Sequence, residues 1–460
     1  MAARQSGRGD HLGGQRARGA CAAVGQLLPR PRDERRSGAG GHPGGRALHA
    51  SQGDPRGPGP GFDHGRPYLA RGAKEPELRT LVVSDLHLGA HSGVDLLRRA
   101  QVLELLLAQL AGFDRLVLLG DVLELRDGPA REVLSAAAPV LAELGEALGP
   151  GREVVIVPGN HDHQLLQGWL ARRASDVPPP LGLEAVVDWR ADEPLGAVAA
   201  ALGPVEVRAA YPGVWLREDV YALHGHYGDR HTTVPMLERL GAGVMARVVV
   251  EAPGGPRRAE DYEATLAPLY AWLYAVAQAR GRNAGRGSHG ASARARGMLQ
   301  GARAGGRGRR GAAARNLRHR GAVTRTLCHR GAAAAFPVLI AALNRAGLGP
   351  LRADLSGPEL RHAALCATGE VLARLDVRAP HVIFGHTHRA GPLGADDPAE
   401  WLAPGGVQLL NPGSWVHEPA FLGERPHESP YRPGFCAVLH GERAPTLINV
   451  LDAVTGPAPA

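Results

Sequence analysis

Chemically competent side chains follow an apolar run near residue 80. Asp85 and His87 come directly after the run Leu81–Val83, which has the β-branched composition of a buried strand. Strand alternation places the two side chains on the same side of the backbone. A carboxylate and an imidazole presented together at the carboxyl end of a strand make half of a metal site. The pair is frequent by chance, so its meaning depends on whether other strands supply further ligands.

Four more polar clusters have the same placement at the ends of apolar runs. They are Asp121, the triplet Asn160-His161-Asp162, His224, and the pair His386 and His388. Histidines, carboxylates and an amide together suit Mn, Fe or Zn better than the oxygen cages of Ca or Mg. Two such ions joined by a carboxylate are the usual arrangement for displacement at phosphorus.

The elements that position these clusters alternate between strand and helix. Amphipathic patterns predict helices over Val94–Ala111 and Ala130–Leu148, and apolar runs predict strands at Arg115–Leu119 and Glu153–Val157. This alternation predicts βαβ units and a mainly parallel sheet, whose ligand crevice lies beyond the carboxyl ends of the strands. Later runs predict strands at Val205–Ala210, Val214–Leu223 and Pro380–Phe384. Val407–Leu410, Phe435–Leu439 and Leu447–Leu451 are expected to complete a second sheet. The predicted fold class is α/β, a two-sheet sandwich flanked by helices, with a helical insertion.

The net charge of +8 is unevenly distributed. Residues 1–74 carry 13 basic and 5 acidic residues, and residues 281–331 carry 13 arginines and no acid. The rest of the chain therefore has a net charge of −13. Because nucleic-acid binders carry positive charge on the folded surface, this acidic body argues against a nucleic-acid partner.

The cysteines and the hydropathy bear on location. Cys21, Cys328, Cys366 and Cys436 are widely spaced without a CxxC pair, which favours a reducing, cytoplasmic compartment over a disulfide framework or a zinc ribbon. No apolar run reaches the roughly 18 residues of a transmembrane helix. Peripheral membrane contact stays open.

The order D-x-H, G-D-x-x-E, G-N-H-D, H-G-H and G-H-x-H resembles the calcineurin-like metallophosphoesterase superfamily, over roughly Leu78 to Leu451. The resemblance implies that one divalent ion is held by Asp85, His87 and His388. It implies that a second ion is held by Asn160, His224 and His386, and that Asp121 bridges the two. A water activated by the ions would hydrolyse a phosphoester or pyrophosphate bond. Mn is the favoured metal, with Fe or Zn as alternatives.

The resemblance also implies roles for two further residues. His161 matches the general acid of the superfamily, and Asp162 would orient its imidazole. Several neighbours keep two interpretations. His226 is an alternative to His224, because both flank Gly225. Glu124 is either a helix-start residue or an acceptor for a ligand's imidazole. Asp229 is expected to be a loop residue or an outer partner of a ligand, with a ligand as the alternative.

The motif S-D-L-H-L-G is most similar to the UDP-2,3-diacylglucosamine diphosphatase group, which cleaves a lipid-linked pyrophosphate under a helical cap. That group has Arg where this chain has His161, and H-G-D where this chain has His224-Gly225-His226. The expected substrate is therefore a small or lipid-linked phosphoester. The alternative of another class is a catalytically silent binding scaffold. The presence of a suitable residue at every ligand position argues against it.

Four segments follow from these patterns. Residues 1–75 are predicted to be a disordered basic tail. Residues 76–233 and 351–456 are predicted to be the two parts of a metallophosphoesterase domain. Residues 234–350 form the predicted helical insertion, which includes the Arg/Gly/Ala stretch 281–331 and an apolar helix at Tyr262–Ala279. That helix would either contact an apolar portion of the substrate, such as an acyl group, or simply bury its apolar side chains against a neighbouring helix.

Overall fold

The computed structural model describes residues 78–175, 180–280 and 335–454. These described residues belong to one compact unit. The predicted tail and the Arg/Gly/Ala stretch lie outside the described residues.

Eleven strands are found in the described part of the chain. They are β1 (Arg79–Val83), β2 (Arg115–Leu119), β3 (Glu153–Val157), β4 (Glu184–Val186), β5 (Glu206–Arg217), β6 (Val220–Leu223), β7 (His381–Phe384), β8 (Leu402–Ala403), β9 (Val407–Leu410), β10 (Phe435–His440) and β11 (Thr446–Asn449). The predicted bounds of β2, β3 and β9 match the structure to the residue. These strands are mostly buried, which explains their largely apolar sequences.

The helices flank this sheet or belong to the insertion. They are α1 (Ala100–Leu110), α2 (Ala130–Leu148), α3 (Gln167–Ser175), α4 (Pro194–Ala201), α5 (Leu237–Val248), α6 (Ala259–Arg280), α7 (residues 335–345), α8 (Gly357–Arg374) and α9 (Pro419–Leu422). Short 3₁₀ helices occur at Leu96–Arg98, His163–Leu166, His226–Arg230, Pro398–Trp401, Pro426–Glu428 and Val450–Val454. The predicted bounds of α2 are confirmed, whereas α1 begins six residues later than predicted. Asp95, near the predicted start, accepts a hydrogen bond from Gly89 N at 2.9 Å instead.

The strands form one sheet in the order β11-β10-β1-β2-β3-β5-β6-β7-β9-β8, with β4 paired to β5. β5 belongs to both halves of this sheet. It pairs in parallel with β3 as far as Ala209 and antiparallel with β6 from Gly213. Two strands, Val205–Ala210 and Val214–Leu223, were predicted here. The first run instead continues through Pro212 to Arg217, and the second predicted run is divided between the end of β5 and β6, which pair antiparallel.

The sheet curls so that its two halves face each other across an apolar layer. Val82, Val117 and Val155 of the first half pack in one buried cluster with Val220 and Ile383 of the second. Helices cover the outer faces with a second, larger core. The α/β fold class is confirmed, with the difference that the two sheets share β5 and are continuous.

The last two strands correct the expectation that they complete the second sheet. β10 pairs antiparallel with β1, from Arg79↔His440 to Val82↔Ala437, and β11 pairs with β10. They therefore extend the first half of the sheet. Apolar periodicity identifies a strand but carries no information about its partner.

Among the described residues, none of the helices combines the length and the hydropathy of a membrane-spanning segment. The buried Cys436, on β10, is a free cysteine.

Candidate metal centre

The loops that follow β1, β2, β3, β6 and β7 meet beyond the carboxyl ends of these strands. Backbone bonds join the first two loops, since Asp85 N donates to Gly120 O at 3.1 Å and His87 N to Asp121 O at 2.8 Å. The conformation of these loops is unusual. Seven non-glycine residues of the described chain have positive φ, and five of them are predicted ligands: Asp85, His87, Asp121, His386 and His388. Left-handed backbone costs about 1–3 kcal/mol per residue and is concentrated at functional sites.

Three of the predicted residues form a first cluster, Asp85, His87 and His388, whose ligand atoms lie within 4.8 Å of one another. His388 Nε2 is 3.3 Å from Asp85 Oδ1 and 3.1 Å from His87 Nε2. The other oxygen, Asp85 Oδ2, accepts hydrogen bonds from Ser84 Oγ at 2.5 Å and from His386 N at 2.9 Å. The carboxylate is thereby fixed with Oδ1 directed at the two imidazoles.

A second cluster contains Asp121, His224 and His386, again within 4.8 Å of one another. His224 Nε2 is 3.2 Å from Asp121 Oδ2. One end of the Asn160 amide lies 3.2 Å from Asp121 Oδ2 and 3.1 Å from His386 Nδ1. The structure thus brings together all seven residues that the sequence predicted as ligands.

The outward nitrogen of three imidazoles is bonded to an acceptor. His87 Nδ1 is 2.9 Å from Glu124 Oε2, His224 Nδ1 is 3.0 Å from Leu119 O, and His386 Nε2 is 2.9 Å from Asp229 Oδ1. Each bond fixes the tautomer, so the lone pair of the opposite nitrogen faces the cluster. This donor set, with lone pairs directed at carboxylate oxygens, fits divalent metal ions.

Two glycines permit the close approach of the loops. Gly120 has φ +81°, and a Cβ on it would overlap the His224 ring. A Cβ on Gly159 would overlap Asp121 Oδ1. Both positions therefore require glycine, for the reason expected from the sequence.

Charge is concentrated in this buried site. Burial alone would raise the pKa of Asp85, but His388 and His224 hold it at about 2. Burial alone would lower the pKa of His224, but Asp121 raises it to about 10. A proton and a metal ion compete for the same imidazole lone pair, so ion binding would release protons and strengthen with pH.

His161 stands at the edge of the two clusters, and its partner corrects one prediction. Its Nδ1 is 2.8 Å from both carboxylate oxygens of Glu124. Asp162 is turned elsewhere. It accepts hydrogen bonds from the backbone amides of Val122 at 2.7 Å, Leu123 at 3.3 Å and Gly159 at 2.6 Å. The prediction that Asp162 orients His161 is wrong, because Asp162 joins the β2 and β3 loops and Glu124 takes the orienting position.

The open interpretations are resolved by orientation. His226 Nε2 is 3.0 Å from Tyr211 Oη, so its ring is directed away from Asp121, and His224 occupies the cluster. Asp229 is an outer partner of His386, as one interpretation had it. Glu124 is an acceptor, bonded to His87 as well as to His161.

Arg126 is a residue that sequence reasoning missed. Its guanidinium nitrogens lie 3.1 and 3.2 Å from the outer end of the Asn160 amide, and it stacks 5.0 Å from the Tyr270 ring on α6. Its position in the sequence, two residues after Glu124 of the G-D-x-x-E motif, was the one feature that could have indicated a place near the site. Hydrogen bonding alone favours the amide oxygen on the Arg126 side, whereas a bound ion would favour the opposite orientation.

This fold and this donor set define a class, the metal-dependent phosphoester hydrolases. The family model for calcineurin-like phosphoesterases matches residues 78–243. The match supports the superfamily over these residues. No curated protein matches the chain. The matched range contains every predicted site residue except His386 and His388, which the structure brings to the same place.

Proposed function

We propose that the chain is a dinuclear metal-dependent phosphoesterase. The observation that carries this proposal is the position of Asp121 Oδ2, which lies 3.2 Å from His224 Nε2 and 3.8 Å from His87 Nε2. One carboxylate oxygen thus reaches a histidine of each cluster. Asp85, His87 and His388 would hold one ion, Asn160, His224 and His386 the other, and Asp121 would bridge them.

Bound divalent ions would lower the pKa of a water and neutralise charge on the phosphoryl group. Mn is the proposed metal, with Fe or Zn as alternatives, because imidazole and carboxylate ligands suit all three.

The protein's own residues supply proton transfer and orientation. His161 is proposed to protonate the leaving oxygen through Nε2, because its Nδ1 is held by Glu124 at 2.8 Å. The side chain of His161 is only partly buried, at 10% exposure, so a substrate can reach it. Arg126 lies 3.1–3.2 Å from the outer end of Asn160 and so lines the wall next to the second ion. With the Asn160 oxygen turned to the ion, the amide NH₂ and the guanidinium are both donors and make no hydrogen bond with each other.

The insertion supports a substrate with an apolar portion, as in a UDP-2,3-diacylglucosamine diphosphatase-like activity on a lipid-linked pyrophosphate. Nine of the twelve exposed large apolar side chains in the described chain lie between residues 236 and 339, with Trp272 at 61% exposure. α6 also comes close to the centre, where Tyr270 contacts Arg126. The alternative, that the insertion helices simply bury each other's apolar side chains, does not explain the exposure of Trp272. Peripheral membrane contact belongs to the same proposal, and a cytoplasmic location remains a prediction from the cysteine spacing.

The experiment is a substrate screen of protein reconstituted with Mn²⁺, Fe²⁺ or Zn²⁺ against an aryl monoester, an aryl diester, a nucleotide pyrophosphate and a lipid-linked pyrophosphate. Metal-dependent turnover of at least one is expected. Absence of turnover with both metal positions filled would favour a silent binding scaffold and overturn the proposal.

The lipid-linked alternative is tested separately by Trp272→Ala. We expect kcat/KM to fall on the lipid-linked substrate and to hold on the aryl ester. Val186→Ala, at a position exposed at 69%, is the matched surface control. An equal change on both substrates would contradict a substrate contact at Trp272.

A further inference from the structure

Glu263, on α6 of the insertion, is a part-buried carboxylate, with 12% of its side chain exposed, that the proposed chemistry does not use. Its Oε2 is 2.8 Å from His163 Nε2. Its Oε1 accepts hydrogen bonds from Tyr211 Oη at 2.5 Å and from Tyr227 Oη at 2.7 Å. One carboxylate of the insertion therefore binds three groups of the phosphoesterase domain.

Two of these groups lead directly toward the second cluster. Tyr211 Oη also meets His226 Nε2 at 3.0 Å. His226 and Tyr227 begin the 3₁₀ helix His226–Arg230, which starts two residues after His224. Asp229 of the same 3₁₀ helix bonds His386 at 2.9 Å.

Aromatic contacts of the 3₁₀ helix and of the residue that follows it also join this segment to α6. The ring of Tyr227 stacks on Tyr262 of α6, with centroids 4.5 Å apart and planes 5° apart. His231 Nε2 is 2.6 Å from Tyr262 Oη. The 3₁₀ helix is thus held by α6 on one side, while it holds His386 on the other.

The energetics make Glu263 the critical member. Burial alone would raise its pKa, but the ion pair with His163 and the tyrosine bonds hold the pKa of Glu263 below its usual value. Removing one partner of a buried, hydrogen-bonded charge leaves the others unpaired, which costs far more than losing an exposed pair. Tyr211, Tyr227 and His163 would all be affected.

We propose that Glu263 is a positioning residue for the second cluster, so that the insertion is part of the metal centre. The inference rests on the proposed dinuclear function. It predicts an asymmetry between the ions. The first cluster is fixed by contacts within the phosphoesterase domain, such as Trp415 N to Asp85 O at 3.1 Å and Glu124 to His87 at 2.9 Å.

The test is a Mn²⁺ titration of the full chain by calorimetry, with electron paramagnetic resonance of the loaded protein. In Glu263→Gln we expect one of the two dissociation constants to rise about tenfold, the lower end of the effect of outer partners on metal affinity. The other constant should hold. At limiting Mn²⁺, the resonance spectrum of Glu263→Gln should show the signal of an isolated Mn²⁺ ion in place of the signal of an exchange-coupled pair.

Glu260→Gln is the matched control. Glu260 lies on the same helix, is also part-buried, and accepts a hydrogen bond from Leu181 N, away from the 3₁₀ helix. If Glu263→Gln folds poorly, Tyr227→Phe removes a single bond to Glu263 while keeping the ring, and the same constant should rise.

The outcomes separate the two proposals. A wild-type chain that binds fewer than two Mn²⁺ ions overturns the dinuclear function. If the wild type binds two ions, and the dissociation constants of Glu263→Gln and Tyr227→Phe equal those of Glu260→Gln, only the role of Glu263 is overturned. An equal weakening of both constants would mean a general loss of packing and would also overturn it.

Discussion

Replacing Glu124 with Gln removes the charge that His87 and His161 share. Glu124 Oε2 is 2.9 Å from His87 Nδ1, and both of its oxygens are 2.8 Å from His161 Nδ1. Its Oε1 also accepts from Arg126 N at 3.2 Å. The glutamine has one acceptor atom and one NH₂ group for these three donors.

The structure shows where the loss must fall. If the amide oxygen takes the place of Oε2, the NH₂ group lies 2.8 Å from His161 Nδ1; in the opposite orientation it faces His161 at the same distance and His87 as well. In either case the amide oxygen stays 2.8 Å from His161 Nδ1, but the second acceptor of His161 becomes a donor and the carboxylate charge is lost. A hydrogen bond to a charged group is worth about 1.5–3 kcal/mol, which corresponds to a loss in kcat/KM of about 10- to 150-fold.

The assay compares two aryl phosphoesters with good and poor leaving groups at saturating Mn²⁺. Because His161 is proposed to protonate the leaving oxygen, the loss should be larger for the poor leaving group. Glu143→Gln, on the exposed face of α2, is the control and should match the wild type.

Two results would refute this reasoning. One is a Glu124→Gln enzyme within twofold of Glu143→Gln on both substrates. The other is an equal loss on both substrates at saturating Mn²⁺, since that would separate the effect of Glu124 from protonation of the leaving oxygen.

The remaining predictions concern three other carboxylates. Asp121→Asn should lose more activity than any other single ligand change, because it removes charge from both ions; a loss of only a few-fold with both metals retained would contradict the bridge. Asp162→Ala leaves three backbone amides unpaired and should lower the free energy of unfolding by at least about 3 kcal/mol. Urea unfolding checks this, with exposed Asp192→Ala as the control. Despite burial, His163 holds the pKa of Glu263 below its usual value, so this stabilisation is present above the unfolded-state pKa and lost as pH falls through the folded value. Between about pH 5 and pH 3 the melting temperature should therefore fall more in the wild type than in Glu263→Gln, and equal falls would contradict it.

The sequence predicted the parallel half of the fold well, for a physical reason. Strands such as Arg115–Leu119 and Glu153–Val157 are buried on both faces, so their apolar runs are continuous and their ends are marked by Gly or Pro. Strand pairing was less predictable. β10 joins β1, and β5 runs through Pro212, because these outcomes depend on contacts between distant segments.

The site shows the same division. The ligand positions were predictable because each follows a strand that ends at one edge of the sheet. The orientation of their partners was not. Asp162 and Glu124 lie in adjacent loops with equally suitable side chains, and only the turn of each loop decides which carboxylate meets His161. The link through Glu263 joins residues 52 and 36 positions apart, and no local pattern predicts it.

The most direct test of the dinuclear centre is a count of divalent metal per chain by inductively coupled plasma mass spectrometry after Mn²⁺ loading and removal of free ion. The structure predicts two ions in the wild type. It predicts one ion in His388→Ala, which removes a ligand from the first cluster, and one in His386→Ala, which removes a ligand from the second. A wild-type chain that retains one ion or none, or variants that both keep two, would contradict the account.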